Sequence, residues 1–451
     1  MTIDSSWIAS FKEEIPVAFT KQIPFSPKAA FCDGQIRLMR GHGDTPLSWD
    51  RYVFQQFQCH VQRFFNNGAS TVILAFDDYA HVPEAKCMTQ TKRRRHLPKL
   101  EVLEREPLPT SVPAGERWDQ CIANRTFKAK VIALVIQTLP KLLDLSSGRT
   151  LVIDYAGPPH EYRLQDGQLQ TRLLDGLLPL GEADIKFTRY AELYRDLLVD
   201  SVDGDSIPIA LLHNEASLSD LTGGSMRAED LAEAPPRVCI YRMTTRVEPP
   251  ARKAKGEPAA KEPHVRTFEY VNIPVLYLGL RDVIMQCTGR LGSPTHERQY
   301  MSMLLALIGL TGTDYTRGMP QLSGKSVFHL MPDIWMQLMR SYNPLSGQLD
   351  VDSATDGVVA AVYAAKYATH VKAPPFSLHS VLEILHGSKL SQRTRDSLPS
   401  VARIACTVRN VNWLILYWRQ PLLAPNPLTS EAGVPKFGYV KQRGCVAYAA
   451  E

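Results

Sequence analysis

The chain has 451 residues, 44% of them hydrophobic and 22% charged, a balance that excludes disordered and fibrous classes. That length accommodates two or three domains of about 100 to 200 residues each. A formal net charge of +5 is too small to mark a nucleic-acid binder by global charge, so any phosphate-binding surface has to be local.

Residues 1–10 lack the basic and apolar regions of a signal peptide, and no run reaches about 18 apolar residues. Neither secretion nor a membrane partner is therefore expected. Lys28 to Asp33 predicts a short apolar strand ending on an acid, and Ser48 to Phe65 a helix with Val53, Phe57, Val61 and Phe64 on one side. Thr71 to Asp77 is a continuous apolar run, the pattern of a central parallel strand buried on both faces, and it too closes on acids, Asp77 and Asp78. Ligands of open α/β sheets bind at the carboxyl ends of strands, so two strands ending on Asp mark a candidate site.

Residues 84–144 hold the basic run Lys92, Arg93, Arg94, Arg95 and His96, then a Pro-rich passage from Pro98 to Pro113, then a helix around Phe127 to Leu143. The basic run reads either as a phosphate-binding patch or as a solvated helix face. Thr150 to Asp154 predicts a strand, followed by a hairpin turning at Asp166 and Gly167. From Gly181 a helix carries Ala183, Phe187, Tyr190, Tyr194 and Leu197 on one stripe, and Leu197 to Asp203 reads as the next strand.

Arg237 to Arg246 and Val265 to Val271 predict paired strands, joined by a Pro- and Ala-rich connector that reads as a mobile surface insert at about 247–264. Helices are expected from Ile284 and from Thr295 to Leu310. Beyond Asp314 the chain is mainly helical to Gln420, with strong runs at Gly357 to Tyr367 and Val401 to Trp418, and irregular from Pro421 onward. The eight cysteines, Cys32, Cys59, Cys87, Cys121, Cys239, Cys287, Cys406 and Cys445, form no C-x-x-C pair and read as reduced thiols of an intracellular, reducing compartment, with nuclear and viral replication settings both compatible.

The acids Glu182 and Asp184, and Asp203 and Asp205, recur at i,i+2 spacing within one short unit. If Asp203 and Asp205 lie on a strand they point to one side. Glu182 and Asp184 cannot share a helix face at that spacing, which places Glu182 at or before the first turn, where the helix dipole favours an acid. Several carboxylates at one place are what two hard divalent cations need, and two cations about 4 Å apart serve phosphodiester hydrolysis. The span from Gly318 to Ser326 resembles a phosphate-binding loop but has five residues between its glycines rather than four.

The ordered set resembles the flap endonuclease and XPG family of 5′ nucleases. Its motifs are Trp7; Phe31, Cys32 and Asp33; Ala75, Phe76 and Asp77, followed by Pro83, Lys86 and Lys92 to Arg95; Gly181 to Asp184; Asp203, Gly204 and Asp205; and Gly312 to Gly318 around Asp314. Together they span residues 1–330. The resemblance implies a PIN-like α/β core with a mainly parallel central sheet flanked by helices, an arch-like basic region at 84–144, a degenerate helix-hairpin-helix at 314–330, and a mostly helical C-terminal region at 331–451. It further implies a site of two Mg²⁺ ions, with Mn²⁺ as a substitute, held by Asp33, Asp77, Glu182, Asp184, Asp203, Asp205 and Asp314. Lys86 and Arg93 (93 − 86 = 7) fit the family's two basic catalytic residues on one helix face. Lys92, Arg94, Arg95, Arg317 and Lys325 would contact nucleic acid.

Two departures stand out: Thr2 follows Met1 where the family has Gly, and Gln321 and Ser323 replace hairpin glycines. The implied activity is hydrolysis of flapped, branched or nicked DNA. A 5′-to-3′ exoribonuclease acting on RNA and an inactive nuclease-fold assembly protein are the alternatives. Val408 to Trp418 distantly resembles a helix of those exoribonucleases, but a Trp/Tyr stripe at helical spacing is more often core.

Overall fold

The structure is a computed structural model describing residues 5–40, 47–83, 86, 106–146, 148–177, 179–222, 238–247, 264–288, 299–372, 377–421, 424–431, 434–442 and 445–449. Its centre is a nine-stranded mixed sheet in the order β1-β9-β8-β7-β2-β3-β4-β5-β6. The strands are β1 (Phe19–Thr20), β2 (Ala29–Asp33), β3 (Thr71–Ala75), β4 (Thr150–Asp154), β5 (His160–Gln165), β6 (Gln168–Leu173), β7 (Leu197–Asp200), β8 (Val238–Val247) and β9 (His264–Asn272). The middle five, β8-β7-β2-β3-β4, are parallel, and the flanking strands run antiparallel.

The apolar runs that predicted central strands are buried on both faces. On β2, Ala29 and Phe31 enter one core while Ala30 and Cys32 enter the other; on β3, Ile73 and Ala75 part from Val72 and Leu74 in the same way. Period-two alternation thus sorts one continuous apolar strand into two cores. The predicted hairpin turn is present, with Asp166 at φ 53° and Gly167 at φ 75°, the two left-handed residues a tight hairpin needs.

Helices cover both faces. The N-terminal and first-half elements are α1 (Ser5–Glu14), α2 (Gly34–Met39), α3 (Trp49–Val53) running through a π turn into α4 (Cys59–Asn66), α5 (Gly115–Ala123), α6 (Arg125–Leu142), α7 (Ala183–Leu193) and α8 (Ser206–Thr222). They are followed by α9 (Ile273–Thr288), α10 (Tyr300–Thr311), α11 (Gly324–His329), α12 (Met331–Ser341), α13 (Ala360–Lys366), α14 (Leu378–Gly387) and α15 (Val401–Arg419). The C-terminal region is mostly helical. It shares one hydrophobic core with the sheet, because α15 packs on α8 and α10, and α12 packs on α9.

Three expectations are corrected. Strand β7 ends at Asp200 rather than Asp203, because the Ser201 hydroxyl accepts the Asp203 N–H at 3.2 Å and the Asp203 carboxylate accepts the Asp205 N–H at 3.2 Å, turning the chain into α8. Such side-chain bonds to the backbone compete with the strand ladder. Helix α9 starts at Ile273 rather than Ile284, directly off β9, with Asn272 Oδ1 accepting the Val275 N–H. The stretch after Pro421 is not irregular but holds two small hairpins, Ser430–Glu431 with Val434–Pro435 and Tyr439–Gln442 with Cys445–Tyr448. Residues 312–323 form a loop between α10 and the six-residue α11. The insert residues 248–263 lie outside the described residues, as do Lys92, Arg93, Arg94 and Arg95.

Candidate metal centre

Six acids of the predicted set meet at the carboxyl edge of the parallel strands. Asp33 closes β2, and its Oδ1 accepts the Gln35 N–H at 2.8 Å, capping α2. Asp77 lies two residues past β3 (77 − 75 = 2), and its Oδ1 accepts the Ala183 N–H at 3.0 Å at the start of α7. Glu182 is the N-cap of α7 and Asp184 lies in its first turn, so one acid stands before the helix and the other inside it. That placement lets both face Lys86, whose ammonium bonds Glu182 Oε2 and reaches Asp184 Oδ2 at 3.3 Å. Asp203 joins from the β7–α8 turn and Asp314 from the loop after α10.

Electrostatics records the convergence. Burial raises the Asp33 carboxyl well above the usual range, and Asp77, Asp184 and Asp203 add like-charge repulsion. Burial also raises Asp203 to about 6, with repulsion from Asp184 and Asp314 outweighing the attraction of Lys86. Asp77 is raised by burial as well, while Lys86 and Lys128 pull it back. Glu182 is pushed up to about 8 by burial despite the Lys86 ammonium. Burial pulls the Lys86 ammonium down, but Asp184, Glu182 and Asp77 outweigh it and hold Lys86 protonated. Asp205 is buried beside this set, its N–H given to Asp203.

The approach of these elements depends on Gly181. The Asp78 N–H donates to the Gly181 carbonyl at 2.6 Å, and a Cβ at 181 would collide with the backbone of His81 and Val82. Asp78 itself is spent on its own loop, accepting from Ala80 N–H at 3.0 Å and pairing with His81 Nδ1 at 2.7 Å. Asp154, at the end of β4, is likewise structural. It holds the fully buried Lys186 at 2.8 Å, the Arg189 guanidinium and the Tyr190 hydroxyl.

The donor set fits hard divalent cations: all its ligands are oxygens, and Asp184 Oδ1 is buried with no hydrogen-bond partner. The carboxylates are not gathered at one point: among the described residues no three of them bring oxygens within 4.8 Å of one another. Cys32, His60 and Asp200 do come that close, but Asp200 Oδ2 already pairs with His60 Nε2 at 2.6 Å and accepts from Arg37 at 3.0 Å. Burial lowers the His60 imidazole to about 4, and the positive charges of Arg37 and Arg63 beside the Cys32 thiol oppose a dication. This cluster is a clamp tying β2 and β7 to α2 and α4.

Three nearby groups escaped sequence reading. Tyr315, next to Asp314, donates its hydroxyl to Glu182 Oε2, and Tyr417 on α15 donates to Glu182 Oε1 at 3.1 Å. Lys128 on α6 bonds the Tyr79 hydroxyl at 2.8 Å beside Asp77. Tyr315 carried a faint signal as the neighbour of a predicted acid, whereas Tyr417 was indistinguishable from the core residues Trp413 and Trp418. Of the predicted nucleic-acid contacts, Arg317 is half-buried on the Asp314 loop, and Lys325 is exposed on α11, its ammonium 3.4 Å from Glu13 of α1. Among the helices, none is long and apolar enough to cross a membrane over the described residues. No protein-family model matches the chain, and no curated protein matches it.

Proposed function

We propose that this chain is a divalent-metal-dependent 5′ nuclease with a PIN-like core, hydrolysing phosphodiester bonds in flapped, branched or nicked DNA. The observation that carries the reading is the meeting of Asp33, Asp77, Asp184, Asp203 and Asp314 at one edge of the sheet, close enough for mutual repulsion to raise Asp33 and Asp203. Separate elements bring these acids together although the charges oppose it, an arrangement that cations would relieve.

Asp33, Asp77, Asp184, Asp203, Asp205 and Asp314 would hold two Mg²⁺ ions directly or through water. When bound, such ions supply activation of a water and stabilisation of the leaving oxygen. Lys86 holds a fixed positive charge beside Asp184, suited to a scissile phosphate and to charge developing in the transition state. Asp77 and Asp33 are each fixed by a backbone N–H on Oδ1, from Ala183 and Gln35.

Cleavage of a 5′-labelled flap DNA in Mg²⁺ by wild type and its loss in Asp205→Ala test the reading; wild-type inactivity on every DNA and RNA substrate overturns it. A 5′-to-3′ exoribonuclease is the second reading; its support is the distant resemblance of Val408 to Trp418, a helix whose Tyr417 donates to Glu182. Single-stranded RNA degraded faster than flap DNA would select it.

A further inference from the structure

Glu182 and Asp184 look interchangeable in sequence, but their surroundings separate them. A carboxylate offers about four acceptor positions. On Glu182, Oε2 receives the Lys86 ammonium and the Tyr315 hydroxyl, and Oε1 receives the Tyr417 hydroxyl at 3.1 Å. The residue is 1% exposed. Asp184 receives Lys86 on Oδ2 at 3.3 Å and leaves Oδ1 buried without a partner.

The two tyrosines are themselves held. Tyr417 stacks on Trp413 with centroids 4.9 Å apart and planes 10° from parallel, and the Tyr315 carbonyl accepts the Tyr439 hydroxyl at 2.6 Å. Lys86 also lies 5.6 Å from the centre of the Tyr315 ring, a cation–π contact that adds to its fixation.

We propose that Glu182 is the anchor of Lys86 rather than a metal ligand, and that Tyr417 and Tyr315 are positioning residues that hold this anchor. Resting on the nuclease reading above, the inference assigns Asp184 alone of the pair to cation binding. Helix α15 and the strand Tyr439–Gln442 become part of the site through Tyr417 and Tyr439, so the C-terminal region is more than a buttress. Glu182, held by three donors from three separate stretches of the chain, keeps Lys86 in place beside Asp184 before any phosphate arrives, the preorganisation that electrostatic catalysis requires.

Two measurements on the full chain decide it. In the metal-free protein, Lys86 acetylation by acetic anhydride is followed by mass spectrometry against exposed Lys325 as the internal reference. Relative to wild type, it rises about 5-fold in Glu182→Gln, the factor equivalent to roughly 1 kcal/mol, and at least about 2-fold in Tyr417→Phe. Equal labelling in all three proteins overturns the anchor. In Mn²⁺ titrations by calorimetry, Glu182→Gln keeps the wild-type number of bound ions while Asp184→Asn binds fewer. Loss of an ion in Glu182→Gln overturns the assignment. If wild type takes up no Mn²⁺, the metal reading of the whole site falls, and the labelling still decides the Lys86 anchor.

Discussion

Asp77 and Ala183 are joined by a hydrogen bond from the Ala183 N–H to Asp77 Oδ1, 3.0 Å long. Glu182, the N-cap of α7, makes no capping bond of its own, so an acid from another element caps this helix. The bond fastens the end of β3 to the start of α7, and with it Asp77 to Glu182 and Asp184. Helix N-termini leave backbone donors free, and an acid there also meets the positive end of the dipole.

Asp77→Asn retains a carbonyl acceptor for Ala183, so thermal stability of the metal-free protein should stay near wild type. Asp77→Ala should lose about 1 kcal/mol, the usual worth of a helix cap. Both should lower cleavage on the order of 100-fold, because each removes a carboxylate from the proposed cation site. Thermal melts alongside flap cleavage separate the cap from the charge.

Gly181→Ala should destabilise the fold by about 1 to 3 kcal/mol, the range for overpacking. Its Cβ collides with backbone at His81 and Val82, which cannot rotate away as a side chain can. The variant should also weaken Mn²⁺ binding, since the loop bearing Asp77 is pushed from the helix bearing Asp184. Wild-type melting and wild-type Mn²⁺ binding in this variant would contradict the packing account.

The metal-free protein should lose stability as pH rises from about 4 to about 6 and beyond. Asp203 moves from 3.8 when unfolded to about 6 when folded, and Asp33 is raised further in the same direction. A raised carboxyl binds its proton more tightly in the folded state, so stability is greatest below the unfolded pKa and declines as pH climbs through the folded one. Asp203→Asn should therefore stabilise the metal-free protein at pH 8, on the order of 1 kcal/mol. Denaturant unfolding at pH 5 and pH 8 provides the comparison, and Mg²⁺ should abolish the difference.

Lys186→Met should be strongly destabilising, by about 3 to 5 kcal/mol, because it leaves Asp154 buried with one partner fewer. Lys186 Nζ also donates to the carbonyls of Phe76 at 2.8 Å and Tyr155 at 3.0 Å, so the loss loosens the ends of β3 and β4 together. The double variant Lys186→Met with Asp154→Leu should recover part of the stability, measured by urea unfolding.

Much of the architecture was legible because its signals are local. The apolar run through Thr71 to Ala75 could be only a strand covered on both sides, and the Asp166–Gly167 turn needed nothing but its two residues. The stripe from Ala183 to Tyr190 is buried as its spacing demanded. Errors arose where local polar chemistry competed with pattern. Asp203 was read as strand because apolar residues precede it, yet Ser201 and Asp203 capture backbone N–H groups and turn the chain. Helix α9 begins at Ile273, before the predicted Ile284, because the Asn272 side chain accepts the Val275 N–H and starts the helix directly off β9.

By itself the sequence determined which segments are buried strands, with Thr71 to Asp77 central among them, and that acids follow them in order, since burial on two faces and side-chain period are written into neighbouring residues. Only the tertiary structure decided what each acid does. Asp78 turned inward to its own loop, Asp154 was neutralised by Lys186, Arg189 and Tyr190, and Glu182 was claimed by tyrosines 133 and 235 residues away. A carboxylate's role depends on which donors reach it and whether water does, and those donors come from parts of the chain that no local pattern connects.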